Sequence, residues 1–299
     1  MGYIFLFLSL FAGLTKAYCG KKTSGHLTGY QEAMLANILR MFLCTLIGLV
    51  LVLITEGTHF LLLDTDTLLL SIFSGITTAM FVVLWLICVK TGAYMMIEVF
   101  IMLGVTIPLL MGIPFFHESV TIIQWLGIAL LCIASFVLCS YNNTIKQKLT
   151  LKALVLLVLC GMSSGLTDFL QKLFISTQHH VPISVFNLYT YLFSLLFLIF
   201  VFCCTTKKTV TDKEIIGLKL KKIGGYILVM SVCLFASSFF KTYAAVYLDS
   251  VQLYPVSQGL ALILSSFMSA VFFKEKPTTK SVVGLCLAFV GIIMINFLS

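Results

Sequence analysis

Six ionisable residues of this 299-residue chain stand inside long apolar stretches: Lys16, Arg40, Glu98, Asp168, Lys172 and Lys241. Together these residue types can recognise a charged solute, pair with one another, or exchange a proton at Glu98 or Asp168. Asp168 and Lys172 are four residues apart, which puts them on one face of a helix. A charge in hydrocarbon costs roughly 2.5–3.5 kcal/mol even on the most lenient scale, so each of the six needs a physical reason. Asn37, Asn187, Tyr189, Tyr243, Tyr247, Gln252 and Gln258 lie in the same stretches and add hydrogen-bonding capacity. Bland roles compete with the functional ones. Lys16 and Lys172 can snorkel to nearby interfaces. The remaining charges can form structural ion pairs, and the amides and tyrosines can bond between helices.

Motifs of other chemistries do not survive their context. Gly161-Met162-Ser163-Ser164-Gly165 has the spelling of a nucleophile elbow, but the elbow needs a strand-to-helix turn and this stretch reads as mid-helix. His117-Glu118 lacks the second histidine of a zinc-protease helix. His179-His180 falls in a short loop, and Asp168 is the one aspartate deep in an apolar run. Ten cysteines occur without a C-x-x-C pair, mostly within apolar runs, where cysteine behaves as a small hydrophobe. Nothing in the residue pattern calls for a metal, a cofactor or nucleic acid.

The elements that must position the six charges follow from composition. The chain is 60% hydrophobic and 10% charged, with mean hydropathy +1.11. A soluble protein would carry roughly 25% charged residues. A bilayer core takes about 20 apolar residues per helix. The sequence divides into ten such spans, at 2–18, 31–54, 68–90, 93–116, 119–141, 153–175, 182–204, 223–247, 250–273 and 279–298. The first lacks the basic n-region of a signal peptide and is expected to be a helix of the bundle.

Fifteen of the nineteen Lys and Arg residues fall in the loops after spans 1, 3, 5, 7 and 9, and none in the loops after spans 2, 4, 6 and 8. The even-numbered loops carry Glu56, Asp64, Asp66, Glu118 and Asp249 instead. The positive-inside rule puts the odd-numbered loops in the cytoplasm and both termini outside. The sequon Asn142-Asn143-Thr144 then faces the cytoplasm and stays unmodified. By helix rise, Arg40 lies roughly 13 Å inside the membrane from Gln31. Lys16, Arg40 and Glu98 form an expected inner set, and Asp168, Lys172 and Lys241 an outer set. Each set has two bases and one acid, leaving a positive charge to meet an anionic or zwitterionic solute or to serve a gate.

The chain also repeats at long range. Phe115-Phe116-His117-Glu118 with Gly127 echoes Phe272-Phe273-Lys274-Glu275 with Gly284. Gly13-Leu14-Thr15 echoes Gly165-Leu166-Thr167, and Asn37 echoes Asn187. Each half holds an odd number of spans, so the second enters from the opposite side. The expected fold is an all-α membrane protein of ten transmembrane helices in two inverted five-helix repeats, at 1–145 and 146–299. Gly161 and Gly165, echoed by Ser9 and Gly13, predict tight packing of spans 1 and 6. Pro108 and Pro114 are expected to interrupt span 4, and Glu118 to sit at the dipole end of the fifth helix.

On the Phe-Phe-x-Glu…Gly run closing each half, Arg40 early in the second span, and Tyr254-Pro255 opening the ninth, the chain resembles the ten-helix EamA-like branch of the drug/metabolite transporter superfamily. The resemblance covers essentially the whole chain. It implies alternating-access transport of a small metabolite, amino acid or drug-like solute, preferably outward, with proton or counter-solute coupling and without enzymatic activity. Members are often drawn with cytoplasmic termini; the lysine distribution here argues the reverse. The short loops suggest a bacterial plasma membrane. A polytopic membrane enzyme or a non-transporting membrane partner is the alternative class. Single cysteines placed at Lys21, Lys152 and Lys280 in a cysteine-free background should resist an impermeant thiol reagent added outside intact cells, whereas cysteines at Gly57 and Asp249 should react. Labelling at both groups of sites would overturn the orientation.

Overall fold

Hydropathy dictates where helices form, and backbone chemistry requires that they be helices. No lipid group can satisfy an exposed N–H or C=O, so a spanning segment must bond internally. The computed structural model describes residues 1–27, 30–58, 64–90, 94–140, 151–177, 180–205, 213–272 and 279–297. In order these give α1 (Gly2–Ser24), α2 (Tyr30–Thr55), α3 (Thr65–Lys90), α4 (Tyr94–Gly104), α5 (Thr106–Phe116), α6 (Ile122–Ser140), α7 (Leu151–Thr177), α8 (Ile183–Thr205), α9 (Lys213–Tyr247), α10 (Ser250–Phe272) and α11 (Thr279–Phe297). Among the described residues six helices are long and apolar enough to cross a bilayer, and four shorter apolar stretches accompany them. Large apolar side chains such as Phe11, Ile54, Phe200 and Phe289 point outward, as a lipid-facing surface requires. The chain is an integral, multi-pass, all-α membrane protein.

Ten expected spans become eleven helices because the fourth is divided. Pro108 has no N–H, and its ring crowds the carbonyl four residues back, that of Gly104. The helix breaks there: the Val105 N–H reaches only the Met102 carbonyl, at 3.2 Å. Pro114 lies inside α5 without dividing it further. The interruption expected at two prolines is thus made by one.

The break is also where the closest helix crossing occurs. A Cβ on Gly104 would meet the carbonyl of Gly161, one on Gly161 that of Phe100, and one on Gly165 that of Gly104. The small-residue pair of the sixth span therefore seats α7 against α4, not against the first span. α1 packs instead along α9, with Ser9 Oγ donating to the Ser237 carbonyl at 2.7 Å. A small-xxx-small pair marks a close approach and leaves the partner unspecified, so the partner of span 6 is α4 and not the first span as expected. The other extensive pairings are α6 with α11, α2 with α8, and α3 with both α7 and α8.

Leucine or valine at Gly161 should lower thermal stability in detergent by at least about 1–3 kcal/mol, because backbone rather than a movable side chain fills the space. The same change at Gly224, whose Cβ would meet nothing within 4 Å, should be nearly neutral. Equal melting temperatures for the two variants would contradict the crossing.

A charged cavity as the candidate solute site

Helical period aims polar residues from several helices at one point. On α7, Ser164, Thr167, Asp168 and Gln171 share a face; on α9, Ser237, Ser238 and Lys241 do. Lys16 of α1, Arg40 of α2, Thr78 of α3, Tyr191 of α8 and Gln258 of α10 complete the polar wall. They enclose a cavity of about 210 Å³. Apolar walls come from Phe81, Trp85 and Leu234 among others.

Asp168 and Lys241 form the central pair. Lys241 Nζ lies 2.7 and 2.8 Å from the two carboxylate oxygens. It also sits 5.2 Å from the Tyr254 ring centroid, where the negative face of the ring attracts a cation. The Tyr254 hydroxyl donates to the Asp168 carbonyl at 2.7 Å. Tyr254 is fully buried, so ring and hydroxyl lock both charges in place. Behind them runs a polar chain: Gln171 Nε2 donates to Ser238 Oγ at 3.0 Å, and Ser238 Oγ donates to Asn187 Oδ1 at 2.9 Å. Asn187 Nδ2 is used within its own helix, donating to the Ile183 carbonyl.

Lys172 is placed differently from the expected outer set. It neither lines the cavity nor snorkels to an interface. Its Nζ donates to the Ala245 and Leu248 carbonyls at 3.0 and 2.7 Å, at the end of α9. Its counter-ion is Glu118, 3.6 Å away. Glu118 in turn accepts from the Ser250 N–H at 3.0 Å through each oxygen, and from Ser250 Oγ at 3.1 Å. The carboxylate thus meets the positive end of α10, not of the fifth span's helix as expected. A left-handed His117 (φ 54°) ends α5 and turns the chain so that Glu118 can reach it. The outer set is therefore two neutral pairs without a surplus charge.

The remaining candidates separate. Lys16 and Arg40 share the cavity with Asp168 and Lys241, so the division into inner and outer sets is not sharp. Asn37 is buried one turn from Arg40 and accepts from it at 3.5 Å. The Glu98 side chain, His179 and the sequon at 142–144 lie outside the described residues. Tyr243 and Tyr247 do not line the cavity. They flank Phe5 in an aromatic row, with ring centroids 5.5 and 6.1 Å from it. Their helical phase on α9 differs from that of Lys241, which turns them away. On the loop side of α3, exposed His180 stands 3.7 Å from Asp64. Hydrogen bonding from Thr67 holds the Asp64 carboxyl below its ordinary value, with His180 adding to the effect.

Residues 151–297 match the model of the EamA-like transporter family. That stretch of the chain is similar to this family. Members of this family are drug and metabolite transporters, which supports the small-solute transport that the resemblance implies. No curated protein gives a significant match to the chain. In overall shape the chain is similar to a solved structure titled "Crystal structure of protein": TM-score 0.71, 12% identity, covering 99% of this chain and 96% of the other. At that identity the likeness speaks for the fold.

Sequence reasoning missed Tyr191, Gln171, Ser238 and the structural role of Tyr254. Tyr191 is one of eleven tyrosines and carries no local signal. Gln171 was within reach, because it lies three residues after Asp168 on the same helical face. Neutralising Lys241 alone (Lys241→Met) or Asp168 alone (Asp168→Leu) should each destabilise the protein by about 3–5 kcal/mol, since the other charge is left buried without its partner. The double variant should recover most of that loss. Additive losses in a thermal-unfolding series would mean that the pair does not act as a unit.

Proposed function

We propose that the chain is a secondary carrier that holds one small polar solute in the central cavity and exposes it alternately to the two membrane faces. One observation carries this reading. Four buried side-chain polar atoms among the described residues lack a hydrogen-bond partner, and three of them belong to cavity residues: Arg40 Nε, Thr78 Oγ1 and Gln171 Oε1. Buried polar groups are normally satisfied. Unsatisfied ones gathered at one cavity are what a solute would complete. The cavity is smaller than the roughly 300–1,000 Å³ of drug-sized pockets, which favours a metabolite over a drug.

Alternation is supported by how the helices pair. Exchanging spans 1–5 for spans 6–10 turns the α1–α9 contact into α7–α3, and α2–α9 into α8–α3; all four are substantial. The same exchange maps the α2–α8 and α6–α11 contacts onto themselves. Two inverted modules at 1–145 and 146–299 would produce this pattern. They would also supply two nearly equivalent packings, one open to each side. In this reading the odd-numbered loops are cytoplasmic, the membrane is a bacterial plasma membrane, and the favoured direction is outward. The Glu118–Lys172–Ser250 cluster belongs to the outer seal. Energy comes from a proton or a counter-solute, with the Asp168–Lys241 pair as the element that opens and recloses.

Counterflow of radiolabelled metabolites in reconstituted vesicles tests the proposal. The double variant Asp168→Leu/Lys241→Met, selected for a native melting profile, should lose at least about tenfold in flux, equivalent to ~1.4 kcal/mol of solute interaction. Wild-type flux in that variant would remove the pair from the transport cycle. Absence of counterflow for every solute class in the wild-type protein would overturn the carrier reading.

A further inference from the structure

Lys172, Lys241 and Arg40 are not equivalent in how their charges are met. Lys172 has two carbonyls and a carboxylate. Lys241 has both oxygens of Asp168 and the face of Tyr254. Arg40 is 6% exposed, yet its hydrogen bonding within the described residues is one long contact to Asn37, at 3.5 Å on its own helix. Its Nε has no partner, and no described carboxylate contacts it. Asp168 and Glu118 are already committed to their lysines. Arginine stays charged in proteins, so among the described residues this guanidinium on the cavity wall has no neutralising partner.

A guanidinium held for structure would be satisfied by carbonyls, as the Lys172 ammonium is. A planar fork of donors at a cavity wall instead matches the two oxygens of a carboxylate or phosphate. We infer that the solute carries an oxyanion, a carboxylate or phosphate group, and that Arg40 is the residue that binds it. This rests on the carrier reading for its biological meaning, but the site itself can be tested without transport. Gln171, a residue of the same cavity, holds its Oε1 buried without a partner, and rotation of that amide would supply an acceptor for a hydroxyl or ammonium on the solute. The Asp168–Lys241 pair is self-neutralised and adds no net charge, so selection of the anion falls to Arg40, with Lys16 adding positive charge on the same wall.

Trp85 lines the cavity, and the second tryptophan, Trp125, lies on α6 away from it. In a Trp125→Phe background Trp85 becomes a reporter. Purified protein in lipid-free maltoside micelles would be titrated with L-lactate, L-alanine and inorganic phosphate, and with the amides of the two acids, neutral lactamide and cationic alaninamide, which lack the carboxylate. A saturable Trp85 response to at least one oxyanion, and none to the amides, is expected. Arg40→Gln should weaken that response at least about thirtyfold, and Arg40→Lys by about tenfold, because a point charge replaces a bidentate fork. A parallel titration with phosphatidylglycerol separates a lipid headgroup from a free solute; a response to the lipid alone would overturn the assignment. Melting temperature supplies an independent readout. In ion-poor buffer Arg40→Gln should melt no lower than the parent, since an uncompensated charge has been removed, and it should no longer gain stability from the responding oxyanion. A lower melting temperature would make Arg40 a structural residue and sink the inference, as would no response to any oxyanion or equal response to the amides. Oxyanion binding without counterflow would retain the site and remove the carrier reading. Counterflow of neutral solutes, unaffected by Arg40→Gln, would do the opposite.

Discussion

Everything in this molecule is subordinate to the cost of an unpaired charge in a medium that cannot solvate it. The Asp168–Lys241 pair expresses that constraint most directly. Two helices distant in sequence, α7 and α9, are tied by a double contact of 2.7 and 2.8 Å. A third helix, α10, covers the pair with Tyr254, which contributes its ring to the ammonium and its hydroxyl to the Asp168 backbone. Low dielectric strengthens such contacts and penalises any member left alone. The pair therefore fixes the mutual rotation of three helices, and that rotation decides which side chains reach the cavity.

The backbone obeys the same constraint. Where Pro108 frees the Gly104 carbonyl from helical bonding, α7 presents glycines and approaches closely enough to cover it. Where α9 ends, its last carbonyls are taken by Lys172. Where α10 begins, its first N–H is taken by Glu118. Lys172 and Glu118 thus serve as a matched set of helix caps made from side chains of other segments. Their mutual attraction is secondary to that role, as the 3.6 Å separation indicates. Lys172, grouped with the outer charges by its depth, also closes a helix end.

Arg40, Thr78 and Gln171 stand against this background. The protein satisfies its buried polar groups with economy elsewhere, for example by Ser and Thr hydroxyls returning to carbonyls of the preceding turn at Thr45, Ser135 and Ser163. Leaving three polar atoms unmatched around one cavity of about 210 Å³ concentrates the unmet demand where a solute can answer it.

The sequence by itself determined the number of apolar spans, their ends to within a few residues for most, the class of protein, and the charges on which chemistry would turn. Those properties are local: hydropathy and helical period act over one or two turns, and a lysine's loop is known from its neighbours in the chain. Division of the fourth span was half legible, because Pro108 marks the place but only the arrival of α7 settles the geometry. Partner choice was not legible at all. Gly161 and Gly165 announce a close crossing without naming α4, and Lys172 is one turn from Asp168 yet serves the end of α9. Tyr243 and Tyr247 sit within six residues of Lys241 yet face elsewhere. Which charge pairs with which depends on helix rotation and crossing, set by contacts 70 or more residues apart, as with Lys241 and Asp168. Tertiary structure alone decided that Lys241 is neutralised and that, among the described residues, Arg40 is not.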